Sequence, residues 1–504
     1  MKGVIPSKMF LTPKKKPNGE IDRIKGRIVA GGHRQDRSLF EDCDISSPTV
    51  ALTSVLAAAA IAAQQGHHVM TLDHKAAYLN ARMEGPQVIM QLDPGVASLL
   101  CSMNNEYEKF LRHDGKIIVQ LKKALYGCIQ SAVLWYRELT STITKLGFQR
   151  NPYDFCSFTR LTNGNRDAIL IYVDDLLITA KSPETLGAIA DALKEKYGTV
   201  TSHIGLEHDF LGIHWNFRTS GTVYLSMDGY IKDIMNKYKV VKMSKTPATD
   251  NLFRINSDSP DLSTSAKENF HSAVMTLYYL AKRTRPDILT AVSYCATRVM
   301  SPTEDDQRKL DRVLNYLKYT EGQKLVLCIG DNVQINAYVD SSFGLYEDGK
   351  SVTGIVIRLG NAPIFVKSGK QKIVTRSSTE AELVGISDAL SQILWCREYL
   401  LSFGLLLGPA MIFQDNMSTI FLANKGRSTS ERSRHIKIRH FFVAHYIESK
   451  EIMLKYMPTG DMIADILTKP LHGTLFAKFA SEITGNTVQS EITGNTGQSV
   501  LNND

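Results

Sequence analysis

The spacing of apolar positions changes character several times along the chain. The first 32 residues alternate basic side chains with turn formers (Pro13, Pro17, Asn18, Gly19) and then run Arg27-Ile28-Val29-Ala30-Gly31-Gly32, the pattern of a cation-rich hairpin. An Ala-rich apolar stretch at 50–63, ending near Gly66, predicts a buried helix too short to span a bilayer. Val69-Met70-Thr71-Leu72-Asp73 predicts a strand closing on a carboxylate, and the apolar run 168–179, broken by Asp174-Asp175, predicts a hairpin with the aspartates at its tip. Helical periodicity covers 125–146, with Trp135 and Tyr136, and again 183–197. The first unit is therefore α+β.

Residues 231–330 are mostly helical by pattern, clearest at 272–282 and 305–319, with Thr284-Arg285-Pro286-Asp287 between them. Strand signals return at 335–339, 354–359, 362–366 and 411–414, around a long helix predicted over 379–403. A last helix is expected to start near Asp461. The polar repeat Ser481-Glu482-Ile483-Thr484-Gly485-Asn486-Thr487, recurring from Ser490, reads as part of a disordered tail over 473–504. A length of 504 residues accommodates three or four such units and excludes a single small binding module.

Composition adds a partner class. The net charge of +8 is concentrated: residues 2–37 hold ten basic side chains against three acidic, and 425–455 hold eight against three. Two basic regions on an otherwise balanced chain suggest a polyanion bound through phosphate contacts. The seven cysteines (43, 101, 128, 156, 295, 328, 396) show no CxxC spacing, so neither a disulfide framework nor a zinc site is indicated and a reducing compartment fits. Residues 1–10 lack an apolar signal core, so secretion has no support.

Candidate chemistry lies in carboxylates at strand ends. Phosphoryl transfer by two divalent ions needs hard oxygen ligands, and a sheet pairing the strand at 69–73 with the hairpin tip would gather Asp73, Asp174 and Asp175. An isolated Asp-Asp more often forms a turn. Here, however, Tyr172-Val173-Asp174-Asp175 resembles the YxDD box of reverse transcriptases. Leu72-Asp73-His74-Lys75-Ala76-Ala77-Tyr78-Leu79-Asn80, Leu125-Tyr126-Gly127 to Gln130 and Leu134-Trp135-Tyr136 resemble boxes of copia-type retrotransposons, in which Phe210-Leu211-Gly212 and Thr284-Arg285-Pro286-Asp287 are also similar to landmarks. The resemblance covers roughly residues 8–475 in the family's order. It implies a right-hand fingers, palm and thumb polymerase fold, with fingers and palm over 1–230 and a helical thumb or connection over 231–330.

In that family Asp73 and Asp174 would be metal ligands and Asp175 would complete the cluster. Tyr78 matches the aromatic position that blocks a 2′-hydroxyl, although core packing beside a strand is an equally natural role. Lys25 and Arg27 lie where the incoming triphosphate is contacted, without a choice between them, and Tyr126, Gly127 and Gln130 fall on the substrate side. The sequence departs from the common pattern at Cys128-Ile129 and Ser131-Ala132, where Leu-Lys and Ala-Pro are more usual, which weakens the template contact at Gln130.

A second set comprises Asp340 and Asp415 at strand ends, with Glu380 and Asp465 near helix starts. Singly, Glu380 completes a Ser377-x-x-Glu capping pattern and Asp465 precedes Lys469 by one helical turn, both structural roles. Together, Tyr338-Val339-Asp340, Ser377-Ser378-Thr379-Glu380-Ala381-Glu382-Leu383, Gln414-Asp415-Asn416 and Ala464-Asp465-Ile466-Leu467-Thr468-Lys469-Pro470 resemble the ribonuclease H boxes of copia elements, implying an α/β ribonuclease H-like domain over 331–472. By analogy Asp340, Glu380, Asp415 and Asp465 bind two ions and direct water at RNA. Many ribonucleases H carry a histidine before the last aspartate, whereas Met457-Pro458-Thr459-Gly460 offers none. His435, His440 and His445, spaced by five, suit core or backbone contacts, and Arg432, Arg434, Lys437 and Arg439 suit phosphate.

The resemblance implies two Mg2+ per site, with Mn2+ as the alternative ion. It implies an RNA template, a DNA primer, RNA–DNA hybrid and deoxynucleoside triphosphates as partners, and other retrotransposon proteins besides. Action in a cytoplasmic virus-like particle or the nucleus follows, without a membrane. The competing readings are a domesticated relative that binds nucleic acid without catalysis, and a structural fragment of a longer polyprotein. The presence of all seven carboxylates favours the enzyme.

Overall fold

The computed structural model describes residues 3–15, 21–425 and 437–486. Four sheets carry the architecture. The cation-rich hairpin forms as expected, Val4–Lys15 pairing antiparallel with Ile21–Ala30, and its inner end joins Ile89–Leu92 and Ile117–Gln120. Its turn, with Pro17, Asn18 and Gly19, lies outside the described residues. Toward that turn Phe10, Leu11, Ile21 and Ile24 are exposed, so the outer half of the ribbon is held by backbone pairing with little core beneath it.

The second sheet has the order Val200–Gly205, His68–His74, Asp175–Ala180, Asn165–Tyr172, Ser157–Thr162 and Gln149–Arg150. Its central strands are buried along most of their length on either side of the hairpin tip, which is why 168–179 reads as an apolar run broken only at Asp174-Asp175. Helices Ser131–Lys145 and Pro183–Tyr197 pack together here through Trp135 and Tyr197, whose rings meet edge to face at 5.2 Å. The Ala-rich helix Leu52–Gln64 buries ten residues in succession, and methyl side chains permit close neighbours on every side. Its first turn is fastened by Asp154, which accepts from the Ala51 amide at 3.0 Å and the Ser54 hydroxyl at 2.6 Å. The first unit is thus α+β, as its pattern predicts.

The region after it is helical as expected, in Asp228–Lys237, Thr264–Ala281, Leu289–Arg298 and Glu304–Tyr319. A small sheet that the apolar pattern did not reveal, Glu207–Phe210, Ile213–Arg218 and Thr222–Ser226, takes its fourth strand, Leu325–Leu327, from beyond these helices. The chain thus leaves and returns to one structural unit. The Thr284-Arg285-Pro286-Asp287 motif is a core lock: the Arg285 guanidinium forks onto the Asp287 carboxylate at 3.0 and 2.7 Å, and both side chains are fully buried. Tyr316 donates to the same carboxylate at 2.8 Å, and the guanidinium also donates to Thr320 Oγ1 at 2.6 Å, so the buried pair is hydrogen-bonded on both sides.

The last sheet has the order Ala362–Val374, Lys350–Leu359, Ile335–Ser342, Ala410–Gln414 and Ile452–Tyr456, the first three antiparallel and the rest parallel. The long helix Ser378–Ser402 lies against Ile335–Ser342. Two expectations are corrected here. No α-helix begins near Asp461: the segment forms two 3-10 turns, Thr459–Asp461 and Ile463–Leu467, and Pro470, which has no N–H, keeps the second from extending. The expected disordered tail instead begins with the helix Gly473–Ile483, whose Phe476, Phe479, Ala480 and Ile483 are buried at helical spacing. Its end is tied in by the Val326 amide donating to Thr484 O at 2.8 Å. The second copy of the repeat lies outside the described residues. Among the described residues no helix is long and apolar enough to cross a membrane, and all seven cysteines are free thiols.

Candidate functional site

Strand register builds the first cluster. Asp73 stands opposite Asp175 in the pair His68–His74 with Asp175–Ala180, and Tyr172 closes against Asp175 around a two-residue turn, Val173-Asp174. Val173 takes φ of +59°, the left-handed backbone a tight hairpin turn demands and a β-branched residue resists. The surroundings hold it there: Trp135 Nε1 donates to Val173 O at 2.7 Å, and the His74 amide donates to Asp174 O at 3.1 Å. Burial, and after it the nearby charges of Asp174 and Asp73, push the Asp175 carboxyl up to about 6. Like charges gathered at a strand end call for cations.

The aromatic and cationic expectations resolve unevenly. Tyr78 sits on the 3-10 turn Ala77–Asn80, half-buried, its ring 4.2 Å from that of Tyr126, whose hydroxyl donates to Asp174 Oδ2 at 3.4 Å. Burial and the Asp174 charge both disfavour ionisation of Tyr78, and the ring packs against the edge of the main core as well as lying beside the cluster. Lys25 and Arg27 share a face of the exposed ribbon. Of the two, Arg27 is near enough for its charge to act on the Tyr126 hydroxyl.

Gly127, at φ of +95°, permits an approach that a side chain would block, since a Cβ there would meet Ala30 O at 2.1 Å. The Ala30 amide donates to Tyr126 O at 2.8 Å across the same contact. Gln130 is corrected: it is buried, its Oε1 accepts from Gln35 Nε2 at 3.0 Å and its Nε2 faces Met83 Sδ at 3.2 Å. Its amide is spent inside the fold, where it braces the loop from within.

The second cluster gathers Asp340, Asp415 and Asp465, with carboxylate oxygens within 4.8 Å of one another. Asp340 and Asp415 come from adjacent parallel strands. Asp465 arrives on the turn Ile463–Leu467, which presses onto Lys350–Leu359 at Gly354, the residue paired with Asp340. A Cβ at Gly354 would meet Leu467 Cβ at 2.7 Å and Ala464 O at 2.8 Å, so glycine is what lets the turn reach the cluster.

The glutamate of the cluster is Glu382, which corrects the assignment to Glu380. Glu380 stays at the helix start, its amide donating to Ser377 Oγ at 3.2 Å and its carboxylate accepting from the Arg376 amide at 2.9 Å. Its structural role prevails. Glu382 is buried, held by Gln414 Nε2 at 3.2 Å, and pushed well above the usual carboxylate range by burial and by Asp340 and Asp415. One turn on, Gly385 permits the close approach, a Cβ there meeting Ser341 Oγ at 2.4 Å. The signal was present in the sequence: Glu382 shares the helical phase of Ile386, Ala389, Ile393 and Cys396, all buried.

Electrostatics fit the cluster to hard divalent cations. Burial raises Asp340 against the opposing pull of Lys469 and Thr468, and burial with the Asp340 charge brings Asp465 to about 7, so a bound cation would relieve the cost of ionising these acids. The Lys469 ammonium stands 2.9 Å from Asp465 Oδ1 and 3.6 Å from Asp340 Oδ2. Thr468 Oγ1 donates to Asp340. Where a histidine was missing, Thr459 Oγ1 donates to Asp415 Oδ2 at 2.9 Å. Of the other candidates, His440 is buried and bonds Leu422 O at 2.9 Å, and Arg439 is paired with Asp388. Arg432, Arg434, His435 and the Lys437 side chain lie outside the described residues.

Comparison with known proteins places these clusters in context. Residues 2–249 match the family described as reverse transcriptase (RNA-dependent DNA polymerase). The retrovirus-related Pol polyprotein from transposon RE1 of Arabidopsis thaliana is 31% identical over 489 residues, covering 95% of this chain and 32% of that protein. The corresponding polyprotein from transposon TNT 1-94 of Nicotiana tabacum is 27% identical over 496 residues, covering 96% and 36%. The chain thus spans about a third of the length of these relatives. Among solved structures, a foamy viral protease-reverse transcriptase in complex with double-stranded DNA is similar at a TM-score of 0.49 and 13% identity, over 90% of this chain and 67% of that one.

Proposed function

Because this chain belongs to the reverse transcriptase family of copia-type retrotransposon Pol polyproteins, we propose that it is an RNA-directed DNA polymerase that also cleaves RNA in RNA–DNA hybrids. One observation carries the reading: carboxylates converge twice, on separate sheets, as Asp73, Asp174 and Asp175 and as Asp340, Glu382, Asp415 and Asp465. Magnesium held by each set would supply the Lewis acidity that lowers the cost of charge at a reacting phosphate. At the first set, Arg27 offers a fixed positive charge to a triphosphate and Tyr78 a flat wall beside the sugar. At the second, Gln414 and Thr459 orient Glu382 and Asp415, while Lys469 offsets the repulsion among the acids. RNA template, DNA primer, hybrid and deoxynucleoside triphosphates are the proposed ligands, and retrotransposon replication the proposed setting.

The test measures two reactions in Mg2+: extension of a DNA primer on RNA, and release of fragments from a labelled hybrid. Asp174→Asn should abolish extension and spare cleavage, and Glu382→Gln should do the reverse, each by more than the about 100-fold typical of an outer-shell change. Glu380→Gln should leave both reactions within about threefold, since a helix-end carboxylate contributes about 0.3–1 kcal/mol to stability alone. Loss of both reactions from either of the first two variants, in folded protein, would overturn the two-site reading.

A further inference from the structure

We propose that Thr290, on the helix Leu289–Arg298, is a positioning residue for the second carboxylate cluster, so that the helical region following the palm completes the hybrid-cleaving site. The inference rests on the ribonuclease reading of that cluster. It starts from a local deficit in the chain. Asp465 lies on a five-residue 3-10 turn whose internal bonds are few: its amide donates to Met462 O at 3.0 Å, and its carbonyl accepts from Thr468 and Lys469 at 3.1 and 2.9 Å. The next carbonyl, Ile466 O, would take its helical donor from residue 470, which is proline and has no N–H. The carbonyl after that, Leu467 O, would look to Leu471, whose amide is spent on Lys469 O at 3.0 Å.

Buried carbonyls must find partners, and side chains from elsewhere supply them. Thr290 Oγ1 donates to Ile466 O at 2.6 Å across 176 positions of sequence, and Ser368 Oγ donates to Leu467 O at 2.6 Å. Both hydroxyl residues are buried. One turn along the same helix, Ser293 Oγ donates to Ser368 O at 3.2 Å, so Leu289–Arg298 grips the seat directly and through the strand Ala362–Val374.

The helix is itself anchored at its start by the buried Arg285–Asp287 fork. With Gly354 beneath the turn and Thr290 beside it, the position of Asp465 relative to Asp340 is set by two distant parts of the chain. The connecting region is therefore part of the nuclease site and more than a spacer.

The experiment uses the full chain and compares Thr290→Val, which keeps the shape and removes the donor, with Thr290→Ser, which keeps the donor. Hybrid cleavage is followed as kcat and KM, primer extension serves as the internal control, and Mn2+ binding by paramagnetic resonance is measured in an Asp174→Asn background that weakens the first cluster. Thr290→Val should lower kcat for cleavage about 10–100-fold with KM and extension unchanged, and should weaken Mn2+ binding at the second cluster by a similar factor. Thr290→Ser should restore both.

The proposal is overturned if Thr290→Val cleaves and binds Mn2+ like the parent, if Thr290→Ser is as impaired as the valine variant, or if extension falls in step with cleavage. If the parent chain itself cleaves no hybrid, the ribonuclease reading fails. The Mn2+ comparison then still decides whether Thr290 holds Asp465.

Discussion

Tyr78 and Asp175 show how a single side chain takes its meaning from what stands beside it. Tyr78 is near enough to Asp174 to feel its charge and its ring meets that of Tyr126 at a tilt of 33°, which is where the proposed wall beside the sugar would stand. Tyr78→Val should admit ribonucleotides, raising their kcat/KM at least about tenfold while deoxynucleotide use falls little. Single-nucleotide incorporation with each sugar measures this, and full discrimination in an active variant would return Tyr78 to a packing role.

Asp175 titrates near 6 in the fold, above the 3.8 of an unperturbed aspartate. The unfolded chain therefore releases this proton first, and ionised Asp175 is a penalty that is absent below about pH 4 and complete above about pH 6. Melting of the metal-free protein should show that loss of stability as pH rises between those limits, and Asp175→Asn should remove it. Divalent ions should suppress it in the parent, because a bound cation stabilises the ionised form.

At the scale of elements, function depends on where backbones are allowed to touch. Gly354 lets the turn Ile463–Leu467 meet the strand opposite Asp340, and Gly385 lets the helix Ser378–Ser402 meet Ser341. Gly354→Ala should destabilise the protein by about 1–3 kcal/mol through overpacking and displace Asp465. Hybrid cleavage should then fall much further than the change in melting temperature accounts for, while extension at temperatures where the variant is folded should not. Equal loss of the two activities would show that the contact matters only for stability.

The two carboxylate clusters belong to one packed body. Tyr399, on the helix Ser378–Ser402, is buried against the palm: its hydroxyl lies 3.0 Å from Ser157 Oγ, and its carbonyl accepts from Asn151 Nδ2 at 3.2 Å. Trp395 stacks on Tyr399 and donates to Tyr153 O at 3.0 Å. Truncating an aromatic this deeply buried costs about 3–5 kcal/mol. Tyr399→Ala should therefore lower the thermal inactivation midpoints of extension and cleavage together. Two separated midpoints would indicate that the halves unfold independently.

Much of this was legible in the chain because it is encoded within a few residues. Strands carrying Asp73 and Asp340 or leading into Asp415, the Asp-Asp hairpin tip, the long helix after Ser377 and the helical middle region follow from local period and turn chemistry, although the strand through Asp340 runs on to Ser342. The ordered motifs added the family, and with it the pairing of distant strands. Tertiary structure alone decided which of two glutamates two positions apart points inward, since Glu380 satisfies a local cap and Glu382 needs a sheet to be buried against. It also decided that Gln130 is spent on Gln35, that Gly473–Ile483 docks as a helix, and that Ile466 O finds its donor in Thr290. In each case the deciding partner lies far away in sequence, and burial and hydrogen-bond satisfaction are settled only when those segments meet.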